Sequence, residues 1–295
     1  MKQLRMIFTG IFLSILIVTG CNTDDNIPSG SKGRLNVHLT DSPYPIGLIK
    51  NAYVTVNKLE IRKQLDSTTG DDEESFIVVS EAEMKIDLLK LTNGITKQIA
   101  GIDLEAGTYN QIRLHVVDAT VVLTNGTEYN LKVPSGSSSG LKIKFEPAIE
   151  ILEGETSDVL LDFDVSRSFV VKGIVGKHIN GFNFKPVVRG VFLGHAGRVE
   201  GNVSDVFGNR LENAMIKLWV PGNLESHEMI DGETNDDELQ VTSFTDTEGN
   251  YKLIGIPAGK YSISCESDGY LGEIVTNVIV VSGKAFTLDF KLEKE

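Results

Sequence analysis

Side chains able to do chemistry are few in this sequence and far apart. Asp162 and Asp164 stand two apart in Leu161-Asp162-Phe163-Asp164-Val165. Paired carboxylates roughly 5–9 Å apart can work as acid and base on a glycosidic bond, and strand neighbours come close to that range. They also offer hard oxygens to Ca²⁺, but calcium takes about 6–8 oxygens, usually from a loop that wraps it. Two carboxylates on a strand fall short, and the pair reads as a solvated strand face. The acidic loops 66–74 and 231–238 read as solvated insertions, and Asp236-Asp237-Glu238 lacks the spaced acids of a calcium loop. His38, His115, His178, His195 and His227 form no ligand-spaced pair. Cys265 alternates with Tyr261 and Ile263, so its phase points inward, as a small buried thiol with no base beside it. Ser135 to Ser139 lacks the Gly-x-Ser-x-Gly elbow. No catalytic residue, metal site or cofactor is assigned.

Trp219 is the single tryptophan. In Ile216-Lys217-Leu218-Trp219-Val220 it falls opposite Ile216, Leu218 and Val220, a phase that would expose it. Sugars stack on exposed aromatics, so it is the best single candidate for glycan contact. The competing reading makes it a packing residue under the insertion 221–238.

The 295 residues leave room for about two domains. At 41% hydrophobic and 23% charged, most of the chain can bury a core. Lys+Arg 28 against Asp+Glu 41 gives a net charge of −13, which argues against a nucleic-acid partner. Two cysteines exclude a disulfide framework and a four-thiolate zinc site.

The amino terminus has its own pattern. Lys2 and Arg5 precede the uncharged run Met6 to Val18, which is short of the roughly 20 residues that span a bilayer. The run ends in Val18-Thr19-Gly20-Cys21, which resembles the bacterial lipobox. That resemblance implies cleavage of residues 1–20 and lipidation of Cys21, so that the membrane is reached through a lipid anchor. Asn22-Thr23-Asp24-Asp25 is similar to the surface-export signal of Bacteroidota lipoproteins, which implies an outer-membrane lipoprotein facing the cell surface. Residues 21–32 read as a polar tether.

From Gly33 onward the period is two. Leu35, Val37 and Leu39 alternate with Asn36, His38 and Thr40, and Tyr261, Ile263 and Cys265 alternate with serines and Glu266. Turn signals such as Asn93-Gly94, Asn125-Gly126 and Ser282-Gly283 punctuate the runs. The expectation is all-β, with two β-sandwich domains over 33–193 and 196–295, joined by a short link that keeps them close. One helix candidate stands out, Glu81 to Leu91, with Met84, Leu88 and Leu91 on one face.

The second domain carries Gly197-Arg198-Val199-Glu200-Gly201-Asn202-Val203, Asp205, Gly208, Leu211-Glu212-Asn213-Ala214, Asp246-Thr247-Glu248-Gly249-Asn250-Tyr251, Gly255-Ile256-Pro257-Ala258-Gly259-Lys260-Tyr261 and Asp268-Gly269-Tyr270 in order. This succession resembles the carboxypeptidase-regulatory-like (transthyretin-like) domain. The resemblance implies a seven-stranded Greek-key, prealbumin-like sandwich, often described as a carbohydrate-binding-like fold, without activity of its own. The first domain carries Leu35-Asn36-Val37-His38-Leu39-Thr40-Asp41-Ser42-Pro43, Gly107-Thr108-Tyr109, Leu161-Asp162-Phe163-Asp164-Val165 and Lys185-Pro186-Val187. It is similar to domain-of-unknown-function family 4382, which implies an envelope setting and no activity. Together these readings give a non-catalytic lipid-anchored envelope protein that binds an extracellular ligand such as a glycan. The alternative is a structural, adhesin-like subunit with an envelope-protein partner.

Overall fold

The computed structural model describes residues 31–42, 47–64, 76–134, 139–174, 178–220 and 239–295. The leader, Cys21, Asp24-Asp25, most of the tether, both acidic loops and the insertion 221–238 lie outside the described residues.

The all-β expectation holds. The first half runs β1 (Lys32–Ser42), β2 (Ile49–Lys63), β3 (Phe76–Ser80), β4 (Met84–Asp87), β5 (Lys97–Glu105), β6 (Gly107–Leu123), β7 (Glu128–Leu131), β8 (Leu141–Ile151) and β9 (Thr156–Asp164). A single helical turn, α1 (Val165–Ser168), precedes β10 (Phe169–Ile174), β11 (His178–Phe184) and β12 (Val188–Phe192). One sheet has the order β12-β9-β1-β5, with β1 and β9 parallel. A second has the order β3-β2-β6-β7, with β4 beside β2 and β8 beside β6, and β10 and β11 pair antiparallel as a separate two-stranded sheet. The alternating apolar residues of both sheets meet in one core that includes Leu35, Val37, Leu39, Ile61, Ile112, Leu114 and Val116.

Two local expectations fail here. Met84–Asp87 is a strand, and Leu88–Lys90 is a 3-10 turn, where the spacing predicted one helix. The pairing of Met84–Asp87 with Tyr53–Val56 supplies the backbone hydrogen bonds and buries Ile86, which outweighs a weak local helical preference. The second failure concerns β9. Val159, Leu160, Leu161 and Phe163 are all fully buried, and Asp162 is 5% exposed, so the face expected in water is covered.

The second half runs β13 (Ala196–Asp205), β14 (Met215–Trp219), β15 (Leu239–Phe244), β16 (Asn250–Pro257), β17 (Gly259–Glu266), β18 (Glu273–Val280), β19 (Ala285–Thr287) and β20 (Phe290–Leu292). β13 has β16 on one edge, with β19 and then β20 along the other. The facing sheet has the order β15-β14-β17-β18. Between them lie Val199, Val203, Ile216, Leu218, Tyr251, Ile263 and Phe290. The turn into β16 follows from its residues. Asp246 Oδ1 accepts from the backbone N–H of Glu248 (3.0 Å) and Asn250 (2.8 Å), and Gly249 takes φ +74°. Buried Tyr251 and Tyr261 donate their hydroxyls to the carbonyls of Leu288 (2.6 Å) and Pro257 (2.9 Å).

Residues 31–295 form one compact unit. A 3-10 turn, Leu193–His195, leads straight into β13. At the junction Leu160, Val191 and Ala196 form a third apolar cluster with Leu193 and Ile254 against it. Gly255, at φ +64°, brings its backbone so near Leu160 that a Cβ would lie 2.7 Å from Cδ2. Asn93 completes the contact. Its Oδ1 accepts from Lys252 N–H (2.6 Å) and its Nδ2 donates to the Asn250 carbonyl (3.2 Å). A side-chain amide has the donor and acceptor of a peptide group, so Asn93 pairs with β16 as a neighbouring strand would.

Candidate functional site

β14 turns Ile216 and Leu218 into the core, which leaves Lys217 and Trp219 on the outer face of the sheet. β17 does the same with Ile263 and Cys265, leaving Ser262 and Ser264 outward. The register sets Lys217 opposite Ser264 and Trp219 opposite Ser262. Paired residues share a face with Cβ atoms about 5 Å apart. Lys217 bridges to Glu266, with Nζ 3.1 Å from both carboxylate oxygens.

Trp219 is half-buried, where its phase alone predicted exposure. Its Nε1 is shielded from solvent and has no hydrogen-bond partner among the described residues, and Ser262 Oγ is in the same condition. Leaving a buried polar group unpaired costs about 1–3 kcal/mol. Here a donor and a hydroxyl in that state stand at paired positions of adjacent strands. That arrangement suits a ligand with an apolar face and several hydroxyls. A stacked sugar ring offers both. The insertion that follows Trp219, residues 221–238, lies outside the described residues.

The other sequence candidates have structural occupations. Asp162 accepts from Arg189 Nη2 (2.9 Å), and Arg189 Nη1 donates to the Gly255 carbonyl (3.2 Å), so this carboxylate belongs to the junction. Asp164 caps α1, accepting from Arg167 N–H (2.9 Å), Arg167 Nε (2.7 Å) and Ser166 Oγ (2.6 Å). Asp162 is thus not on a solvated face, because the second half of the chain packs over β9. Asp41, on the adjacent strand, is buried, and burial followed by the charge of Asp162 pushes its carboxyl well above the usual range. No cluster of His, Cys, Asp or Glu among the described residues has metal-binding geometry. Cys265 is fully buried, and burial pushes its thiol up to about 12, far from a nucleophile's range.

His115, which stands in no ligand-spaced pair in the sequence, has a structural partner. It is 6% exposed, and its Nε2 meets Glu60 Oε2 at 2.9 Å. The neighbours Arg113, Lys142 and Lys144 drew no attention in sequence. The alternation of Leu141-Lys142-Ile143-Lys144-Phe145 shows which way the lysines point, but only strand pairing sets them beside Arg113.

Comparison with known proteins gives two family matches. A model described as "Domain of unknown function (DUF4382)" matches residues 32–186, and one described as "Carboxypeptidase regulatory-like domain" matches residues 198–293. Among solved structures, the chain is similar to the Bacillus anthracis TIE protein (14% identity, 90% of this chain and 34% of that one, TM-score 0.26). It is also similar to wild-type Acinetobacter radioresistens catechol 1,2-dioxygenase (16% identity, 34% of this chain and 52% of that one, TM-score 0.25). A third likeness is GBS52, the minor pilin of Streptococcus agalactiae (10% identity, 88% of this chain and 96% of that one, TM-score 0.24). The chain therefore spans about a third of the TIE protein and about half of the dioxygenase. No curated protein matches it.

Proposed function

We propose, from the premise that this chain belongs to the DUF4382 family and carries a carboxypeptidase regulatory-like domain behind it, that the protein is a non-catalytic binding protein of the cell envelope. In this reading Cys21 is lipidated, the anchor holds the protein at the outer membrane facing the cell surface, and the Trp219 face binds an extracellular glycan. One observation carries the glycan reading: the indole N–H of Trp219 and the hydroxyl of Ser262 lie on one face, both buried and with no hydrogen-bond partner among the described residues. A binding role rather than an enzymatic one is supported by the use of Asp162 and Asp164. Each is committed to an arginine that holds the fold.

Glycan-array binding by the full chain in neutral detergent tests the reading. Trp219→Ala should abolish a signal seen with the wild type, and silence across broad arrays counts against it. Mass spectrometry of the amino-terminal peptide tests the anchor, with a diacylglyceryl Cys21 expected and an unmodified terminus at another residue contrary to it.

A second reading, a structural or adhesin-like subunit, is favoured by β18. Among the described residues it ends its sheet, and Ile274 and Ile279 are 58% and 63% exposed on it. An exposed apolar edge strand can accept a strand from a partner protein. Cross-linking in cells that captures one stable protein partner through β18, with no glycan bound, would favour this reading over the first.

A further inference from the structure

β18 ends its sheet, so one line of its backbone N–H and C=O groups has no strand beside it among the described residues. The surface around this edge is apolar. Leu271, Ile274, Ile279 and Val281 are four of the twelve large apolar side chains exposed among the described residues, and they gather within residues 271–281. Edge strands ordinarily carry charge that discourages a further strand, as β5 does with Lys97, Asp103 and Glu105. β18 has one charged residue, Glu273, at its first position.

The alternation of β18 is broken once. Tyr261 pairs with Val278 and Ile263 with Val275, so Ser262 alone faces both Thr276 and Asn277, and Asn277 takes φ +64°. This is a β-bulge, and it changes the phase of the strand. Ile274 and Ile279 are five positions apart and would point to opposite faces of a regular strand. With the extra residue between them both lie on the outer face, 58% and 63% exposed, while Val275, Val278 and Val280 turn to the core. The strand therefore has the same pattern of faces from either end. Laid antiparallel to a second copy of itself, about a two-fold axis between Thr276 and Asn277, it sets Ile274 opposite Ile279, Val275 opposite Val278 and Glu273 opposite Val280. Residues directly opposite in a ladder share a face, and each of these pairs does.

We infer that β18 is a self-association edge: a second copy of this chain pairs with it across that two-fold, and the two four-stranded sheets become one of eight. The choice of partner rests on the reading of β18 as an acceptor edge given above. Pairing of this kind uses the same edge of both copies and closes at a dimer. The net charge of −13 repels a second copy at range, but like charges do not meet at the seam. Glu273 on the strand, and Lys260 and Glu266 on β17, each lie roughly 20 Å or more from their own copies, beyond a Debye length of about 8 Å. Ser262 stands level with the bulge and Trp219 stands opposite Ser262. The two-fold therefore puts both Trp219 positions in one row on one face, five strand spacings or about 24 Å apart. A polymer held at both sites gains affinity from the linkage.

Sedimentation velocity of the full chain in neutral detergent should show a dimer. The double variant Ile274→Lys/Ile279→Lys should raise its dissociation constant at least tenfold, since like charges then stand opposite each other across the seam. Oxidative cross-linking tests the register without that variant. Ile274→Cys/Ile279→Cys should give a covalent dimer. Ile274→Cys alone should not, because the two copies of position 274 lie about 15 Å apart, well beyond the roughly 4–7 Å between the Cα atoms of a disulfide. Trp219→Ala should leave the dimer intact, which separates it from the glycan reading. A monomeric wild type, a dimer that survives the lysine variant, or equal cross-linking of the single and double cysteine variants would overturn the inference. A monomer that captures a different protein through β18 would overturn it too and leave the structural reading standing, whereas a β18 with no partner of any kind would remove both.

Discussion

The outer faces of the two halves solve the same problem in opposite ways. On the β14–β17 face, Trp219 lies half-buried at the position opposite Ser262, and its ring is both the candidate contact and part of the packing. On the β2–β6–β8 face, Lys142 and Lys144 are exposed, and Lys142 stands opposite another cation, Arg113. The contrast teaches that on the first face the ring couples packing to the proposed binding, whereas on the second like charges stand opposite one another at a cost to stability.

The largest effect should come from Trp219→Ala. Removing a half-buried indole is expected to lower unfolding free energy by about 2–3 kcal/mol in urea titration, together with loss of glycan binding. Unchanged stability would break the coupling on that face.

Glu60→Gln should come next, at about 1–2 kcal/mol, because Lys58 and His115 lose a charged acceptor. The sign with pH is definite. The Glu60 carboxyl is depressed in the folded state, so its contribution is present above its ordinary value of 4.5 and is lost as pH falls through the folded value. Thermal melts between pH 3 and 7 should therefore show wild type and variant converging at the acid end. A gap that stays constant with pH would mean that the carboxylate is not the source.

Ser262→Ala should raise stability by up to about 1 kcal/mol, since it deletes a buried hydroxyl with no partner, while weakening glycan binding. It is the exception that sharpens the comparison, because here removal of a candidate ligand group should favour folding. Lys142→Glu should stabilise by about 0.5 kcal/mol in urea titration by giving Arg113 an opposite charge across the strands. A Lys142→Glu protein less stable than wild type would remove the argument that this face is kept at a cost.

Much of the strand architecture is legible in the residues. The alternation of Leu35, Val37 and Leu39, and of Tyr261, Ile263 and Cys265, fixes which side of each strand is buried, and the structure buries those side chains. Glu81 to Leu91 misleads because eleven residues of mixed pattern satisfy a helical period by chance. β2 then captures Met84–Asp87 through pairing that no local signal reveals. The candidate faces are legible only in part. Trp219 could be phased, but that its indole N–H lies buried beside another unpaired group depends on β17, some forty residues further on.

The sequence by itself determined the periodicity, the turns and the identity of the inward residues, because those are set by neighbours one to four positions away. Tertiary structure alone decided that Asp162 is buried under Arg189, that Asn93 stands in for a strand beside β16, and that Arg113 faces Lys142. Each of those facts joins segments separated by tens of residues. Their pairing follows from the free energy of the whole assembled core rather than from any local preference.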